Sequence, residues 1–287
     1  MAVTQSSLLS AADREQLLKN LVIPPRPVVL DSLMKLRNDP GVNMQKIGQL
    51  IASDLALSAA VLKAANSPLI SRGRRIASVA QAINLLGVKN VVNLVSGLVL
   101  RTRLTSDMPN SIEQFWERAM LVTMISTALA QHLRHEPEDC ASYALFHGCG
   151  IALMLMRYPS YERTLGLIEM ASDDRISRVE NEIHGTSHDI VGYLVGTAWN
   201  MPESFCQMIL LQHDAAVFDS NSELPLSPEA RYTMAVARAA THVWRTLIPG
   251  NRDAGWDALR APVLGLLGIG HDEFEDWCDR MHERLAG

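Results

Sequence analysis

The stretch Ser78-Val79-Ala80-Gln81-Ala82-Ile83-Asn84-Leu85-Leu86-Gly87 sets the reading of the whole chain. Its apolar residues Val79, Ala82, Ile83 and Leu86 recur at spacings of three and four, the period of one helix face and not the alternation of a strand. Ser78 stands just ahead of the first of them, where its hydroxyl can accept from a free N–H, and Gly87 stands where a helix ends on a residue that tolerates positive φ. The segment predicts a short capped helix.

Toward the N-terminus the same pattern continues. Pro24-Pro25-Arg26-Pro27 stops a first amphipathic segment that ends in Leu17, Leu18 and Leu21, because proline lacks an N–H and restricts the residue before it. A second helix is predicted from about Pro27, with Leu30, Leu33 and Met34 as its stripe and Asn38-Asp39-Pro40-Gly41 as its closing turn. A third carries Met44, Ile47, Leu50 and Ile51 on one face, and a fourth runs through Leu57, Val61 and Leu62 to Asn66. Asn66 can satisfy carbonyls left free at that helix end, and Ser67-Pro68 enforces the exit. The basic loop Ser71-Arg72-Gly73-Arg74-Arg75 follows. Asn66, Ser67, Arg72, Arg74 and Arg75 are therefore also candidates for a partner-contact loop, since guanidinium groups suit phosphates and carboxylates.

Toward the C-terminus an apolar helix is predicted from Asn90 to Leu104, then a long one from about Ser111 to Arg134. Ser111-Ile112-Glu113-Gln114 has the spacing of a capping box at its start. Helices are expected over about Asp139 to Met156, Tyr161 to Met170, Arg175 to His184, Ser187 to Asn200 and Glu203 to His213. Phe218 to Pro228 is the best candidate for a surface loop, and two more helical stretches, Pro228 to Leu247 and Asp253 to Arg284, follow it. No long stretch alternates with period two, so the fold class is all-α.

Composition limits what such a chain can be. At 48% apolar and 20% charged residues the chain can bury a core and is far from a disordered composition. No uninterrupted apolar run reaches the roughly 18 residues of a membrane span, and the first residues lack a signal-peptide layout. The expectation is a cytoplasmic protein without a membrane role. Cys140, Cys149, Cys206 and Cys278 are widely spaced, without a CxxC pair, and suit reduced packing roles. A net charge of -5 argues against broad coating of nucleic acid, although Arg72 to Arg75 and Arg101 to Arg103 leave a local basic patch open.

Four segments in order, Ile23 to Pro27, Ile51 to Leu57, Leu62 to Ser67 and Ser78 to Gly87, closely resemble the HDOD family. The similarity continues through Phe115-Trp116, Leu145-Phe146-His147 and His188-Asp189-Ile190-Val191-Gly192 to Met201-Pro202-Glu203. Leu55 stands where the family often has proline, and Pro68-Leu69-Ile70 lacks its common tyrosine. The resemblance covers about residues 20–215 and implies an N-terminal helical bundle, over 1–107 with its flanking residues, packed on a degenerate HD-like bundle over 108–218; the helical pattern adds an extension over 219–287. It also implies a non-catalytic role in bacterial signalling.

In the related HD phosphohydrolases a histidine, an adjacent His-Asp pair and a distant Asp hold a divalent metal that activates water and neutralises phosphate charge. By that resemblance the first histidine falls at Arg118, a group with no lone pair for a metal. The pair falls at His147-Gly148, and Val236 to His242 offers Arg238 and alanines where an Asp is sought. Arg118, His147, Gly148, His188 and His213 are thus expected to border one vestigial cleft, with no catalytic residue, metal or cofactor. A buried Arg118 needs an anion. Glu117, Glu113 and Asp189 are the acids considered for a structural ion pair, and an external anion is the alternative. His147, His188 and His213, placed on helices, suit hydrogen-bonded packing, with a metal site or a polar ligand pocket left open. Gly148-Cys149-Gly150 lacks the lysine and the strand of a phosphate loop and suits close helix packing, and Cys149 is not aligned with His147 for nucleophilic work. The expected function is a regulatory module that contacts signalling proteins, with a nucleotide or phosphate sensor or a divergent phosphohydrolase as the alternative.

Overall fold

The computed structural model describes residues 44–52, 57–58, 61–62, 65–66, 75–87, 91, 95, 110–135, 137–199, 201–247 and 251–286. Among them every regular element is helical. The helices expected before residue 44, most of the one expected over Asn90 to Leu104, and Ser67, Arg72, Arg74, Arg101 and Arg103 lie outside the described residues. Helix α1 is Met44–Ala52 and α2 is Val79–Leu86. The Ser78 hydroxyl accepts from Gln81 N at 3.2 Å, Gln81 Oε1 accepts in return from Ala77 N at 2.9 Å, and Gly87 closes α2 at φ +80°. Both ends are those the sequence predicts. Ile47 and Ile51 are buried, but Met44, expected on the same face, is exposed.

Helix α3, Asn110–His132, is the spine. Because it begins before Ser111, that residue sits inside the first turn, and its hydroxyl is buried without a partner, so the expected capping box is absent. The predicted Asp139 to Met156 helix is two, α4 (Pro137–Phe146) and α5 (Cys149–Arg157), broken at His147-Gly148. This stretch is apolar and long enough to cross a membrane, with 83% of the window buried in the fold. The break lets α5 turn away and lay Gly150 against the His188 carbonyl, an approach that any Cβ would block.

Helices α6 (Tyr161–Glu169), α7 (Asp173–His184), α8 (His188–Ala198) and α9 (Glu203–Leu210) follow, then a 3-10 turn over Ala215–Phe218. The loop beyond it is organised from below. Arg231, itself buried, donates to six carbonyls between Ala216 and Leu226, which answers the polar-backbone cost of an irregular segment. Helix α10 (Pro228–Leu247) returns along α3, and α11 (Trp256–Leu267) and α12 (His271–Ala286) complete the described chain.

Two buried clusters hold these elements. One runs from Ile47 and Ile83 through Trp116 to Leu153 and Val191, so the N-terminal helices share a core with α3, α5 and α8. The other joins Val122 and Ile125 of α3 to Val236 of α10 and to Trp256 and Phe274 of α11 and α12. The first cluster and the C-terminal helices therefore grip different ends of α3, and the helix carries Arg118 between them.

Candidate functional site

Arg118 of α3, His147 and Gly148 at the α4–α5 break, His188 at the start of α8 and His213 just beyond α9 line one cavity of about 80 Å³. His188 and His213 lie at helix ends, as the predicted bounds imply, whereas His147, expected inside a helix, sits at the break between α4 and α5. His147 Nδ1 lies 2.8 Å from the Ala144 carbonyl and 3.3 Å from that of Tyr143. A carbonyl only accepts, so Nδ1 carries the proton and Nε2 keeps a lone pair. Burial, reinforced by the Arg118 charge, pushes His147 down to about 4, and the ring is neutral at pH 7.

His188 is the opposite case. Its Nδ1 lies 2.8 Å from Glu180 Oε2, and its backbone N–H donates to the same oxygen at 3.0 Å. The Tyr161 hydroxyl donates to the other carboxylate oxygen, and Glu180 is fully buried. Burial opposes both charges, but mutual attraction and hydrogen bonding outweigh it, raising His188 and lowering Glu180. The remaining nitrogen of His188, Nε2, lies 3.0 Å from His213 Nε2. Burial first, then the charge on His188, holds His213 well below its ordinary value. A neutral His213 accepts through Nε2 and carries its proton on Nδ1, which is buried without a hydrogen-bond partner.

Arg118 Nη1 pairs with Glu169 Oε1 at 3.1 Å, and its guanidinium lies 4.1 Å from the centre of the Trp244 ring. Glu169, on α6, is not one of the three acids expected. Glu113 and Glu117 point outward from α3, and Asp189 is held by the Ser177 hydroxyl and the Ile190 N–H. Burial, then the charge on Arg245, lowers Arg118 to about 10, so it remains a cation at neutral pH.

The region 236–242, where a metal-binding Asp is sought, delivers a buried cation network. Arg238 bonds Asp173 through Nε and Nη2, both at 3.0 Å, and Asp253 through Nη1 at 2.7 Å and Nη2 at 3.0 Å. Arg245 adds a 2.8 Å bond to Asp253, and His242 one at 3.2 Å while stacking on Trp256. Glu169, Asp173, Glu180, Arg245 and Asp253 were all missed by sequence reasoning. Asp173 and Glu180 alone left a local trace, each standing three and four residues from Ile176 and Ser177 on the buried stripe of α7, where a carboxylate demands a partner.

A second feature lies apart from the cavity. Asn66 donates through Nδ2 to Leu62 O at 2.8 Å and Ile76 O at 2.7 Å, and its Oδ1 accepts from Ile76 N at 2.8 Å. Its amide caps the helix end as expected and also clasps the two ends of the 67–75 segment like a peptide unit. Arg75 is exposed; the other arginines of that segment lie outside the described residues.

The chain belongs to the HDOD family: residues 23–215 match the HDOD domain. An HDOD domain protein of Geobacter sulfurreducens has the same fold, at 22% identity and a TM-score of 0.69 over 95% of each chain. So do a Marinobacter aquaeolei VT8 protein whose name proposes signal transduction (22%, TM-score 0.70, 96% of this chain and 64% of that one) and a Shewanella amazonensis SB2B protein whose name proposes a phosphohydrolase (20%, TM-score 0.66, 96% and 98%). An uncharacterised protein of Treponema pallidum (strain Nichols) is 24% identical over 211 residues, and that match spans 72% of this chain but 39% of the relative.

A divalent metal does not fit the described residues. No three histidine, cysteine or carboxylate side chains among them are arranged to hold a metal ion, His188 has both nitrogens engaged, and the Arg118 cation lines the same cavity. What the arrangement offers instead is cations and hydrogen-bond donors around a small space.

Proposed function

We propose that the chain is a non-catalytic signal-transduction module of bacterial cytoplasm, a helical platform that passes a signal to protein partners and hydrolyses no phosphate ester. The observation that carries this reading is Arg118, a permanent cation in the wall of the cavity that His147 also lines; the family resemblance sets this residue at the place of the first metal-binding histidine of a phosphohydrolase. A positive charge there repels a divalent ion and cannot activate water. The name of the Marinobacter relative agrees with a signalling role.

The competing reading, a divergent phosphohydrolase, draws on the name of the Shewanella relative and on the two facing imidazole nitrogens of His188 and His213. Elemental analysis and turnover separate the two. The regulatory reading expects no stoichiometric divalent metal and no hydrolysis of nucleoside phosphates or cyclic dinucleotides. About one tightly bound metal per chain, with turnover abolished by a chelator, would falsify it. Affinity capture from the native cell should then return a signalling protein, lost when the responsible surface is altered.

A further inference from the structure

The small cavity adjoins a second cleft of about 690 Å³, bordered by Gln114, Trp244 and Arg252 among others. The two share Arg118, Leu165, Glu169 and Arg245, so the Arg118–Glu169 pair stands at the boundary between them. The charges on these walls are not equally committed. Arg238 is held by two carboxylates, and Asp253 also takes one nitrogen of Arg245. Among the described residues the carboxylate paired with Arg118 is that of Glu169 alone, at 3.1 Å through one nitrogen, and the Glu169 side chain is 46% exposed. An ion pair with one partner half in water contributes little, because that carboxylate is solvated equally well when released.

We propose that this boundary is a binding site for a small oxyanion, a phosphoryl group in particular, which displaces Glu169 from Arg118 and takes Arg245 as its second cation. The two guanidinium groups come from different helices, α3 and α10, and a tetrahedral phosphate can offer separate oxygens to both. The inner cavity accommodates the anion and the outer cleft is within the size range of small-molecule pockets, so a phosphorylated ligand could keep its body outside. Burial is the main reason that Arg118, His147 and His213 are all lowered, and neighbouring positive charge adds to it at each of them. The regulatory reading does not depend on this site: partner capture without phosphate binding would leave that reading standing and overturn this one.

Inorganic phosphate, titrated into the full chain by calorimetry and thermal shift, is the probe. The wild type should bind it saturably, Arg118→Met should lose the binding, and exposed Arg280→Gln should keep it. Glu169→Gln, which removes the competing carboxylate, should tighten binding about two- to five-fold, the range of an exposed ion pair. In the wild type, imidazole NMR should show the His147 pKa rising when phosphate is added, a readout that survives if Arg118→Met folds poorly. No saturable binding, binding indifferent to Arg118→Met, weaker or equal binding by Glu169→Gln, or an unmoved His147 would each overturn the proposal.

Discussion

The Nε2 atoms of His188 and His213 face each other at 3.0 Å, so one carries a proton and the other a lone pair. Glu180 decides which. Its carboxylate on the far side of His188 stabilises the doubly protonated ring there, and a second imidazolium 3.0 Å away would be repelled. A buried acid thereby sets the protonation state of a residue it does not touch.

Glu180→Gln should remove the reason for His188 to be charged. The raised pKa of His188 gives stability that is complete below its ordinary 6.5 and fades as pH rises through the folded value. The lowered pKa of Glu180 gives stability present above its ordinary 4.5 and lost as pH falls. The deficit of the variant should therefore be largest between these two values, on the order of 3 kcal/mol. Urea unfolding from pH 4 to 9 measures it, and a deficit independent of pH would mean that no ion pair exists.

His147 acts in the other direction. With its folded pKa near 4 against an ordinary 6.5, the unfolded chain takes up a proton that the folded one refuses, so stability drains away as pH falls from 6.5 toward 4. His147→Gln should flatten that decline by about 2 kcal/mol at pH 4. The comparison is of slopes, which a uniform change in stability at all pH values leaves unaltered. Parallel curves for the two proteins would place His147 in water.

What could be read in the sequence follows the range of the interaction. Helix α2 was legible because both caps, Ser78 and Gly87, lie within its own ten residues. The break at His147-Gly148 was not, because apolar residues flank it on both sides and the reason for turning is the approach of α5 to α8. The capping-box spacing at Ser111 misled because a helix start one residue earlier converts a cap into an interior hydroxyl. In the cavity, the histidines and Arg118 were found through the family's motif order. Their partners were not: Asp173 meets Arg238 across 65 positions and Glu169 meets Arg118 across 51, distances over which no periodicity carries information.

Ile83 tests the N-terminal register. It is buried in the same cluster as Ile47 and Trp116, and its terminal methyl borders Gly48 of α1. Ile83→Asp puts a carboxyl group there with no partner in view. The protein must either bury a charge or protonate the acid, at a cost of about 3 to 5 kcal/mol. Thermal unfolding should fall accordingly, and a near-normal melting point would show that α2 packs by another face.

Asp253 is where the buried charges are most tightly bound to one another, and Asp253→Asn should be the most damaging of the single-charge changes. The side chain is wholly buried and accepts from Arg238, Arg245 and His242. Burial resists its ionisation, yet the His242 bond and the two guanidinium groups outweigh that and hold the carboxyl far below the usual range. By the linkage sign, its contribution is complete above the ordinary value of 3.8 and is lost only as pH falls below it, so the deficit of the variant should be flat across neutral pH. Asparagine leaves Arg238 with Asp173 alone and deprives Arg245 of its carboxylate, and neither arginine can shed its charge or reach bulk water easily. Removing one partner from such a buried set costs about 3 to 5 kcal/mol. The contrast is with Glu169→Gln, whose arginine partner is partly solvated and whose own position is half exposed, so its stability should change by less than about 1 kcal/mol. Hydrogen exchange adds a spatial readout: because Asp253 ties the segment before α11 to α10, and Arg238 of α10 in turn holds Asp173 at the start of α7, protection should fall first near Trp256 and Asp173. A loss below about 1 kcal/mol for Asp253→Asn, or one no larger than that of Glu169→Gln, would mean that Arg238 and Arg245 find other partners and that the network does not hold the C-terminal helices in place.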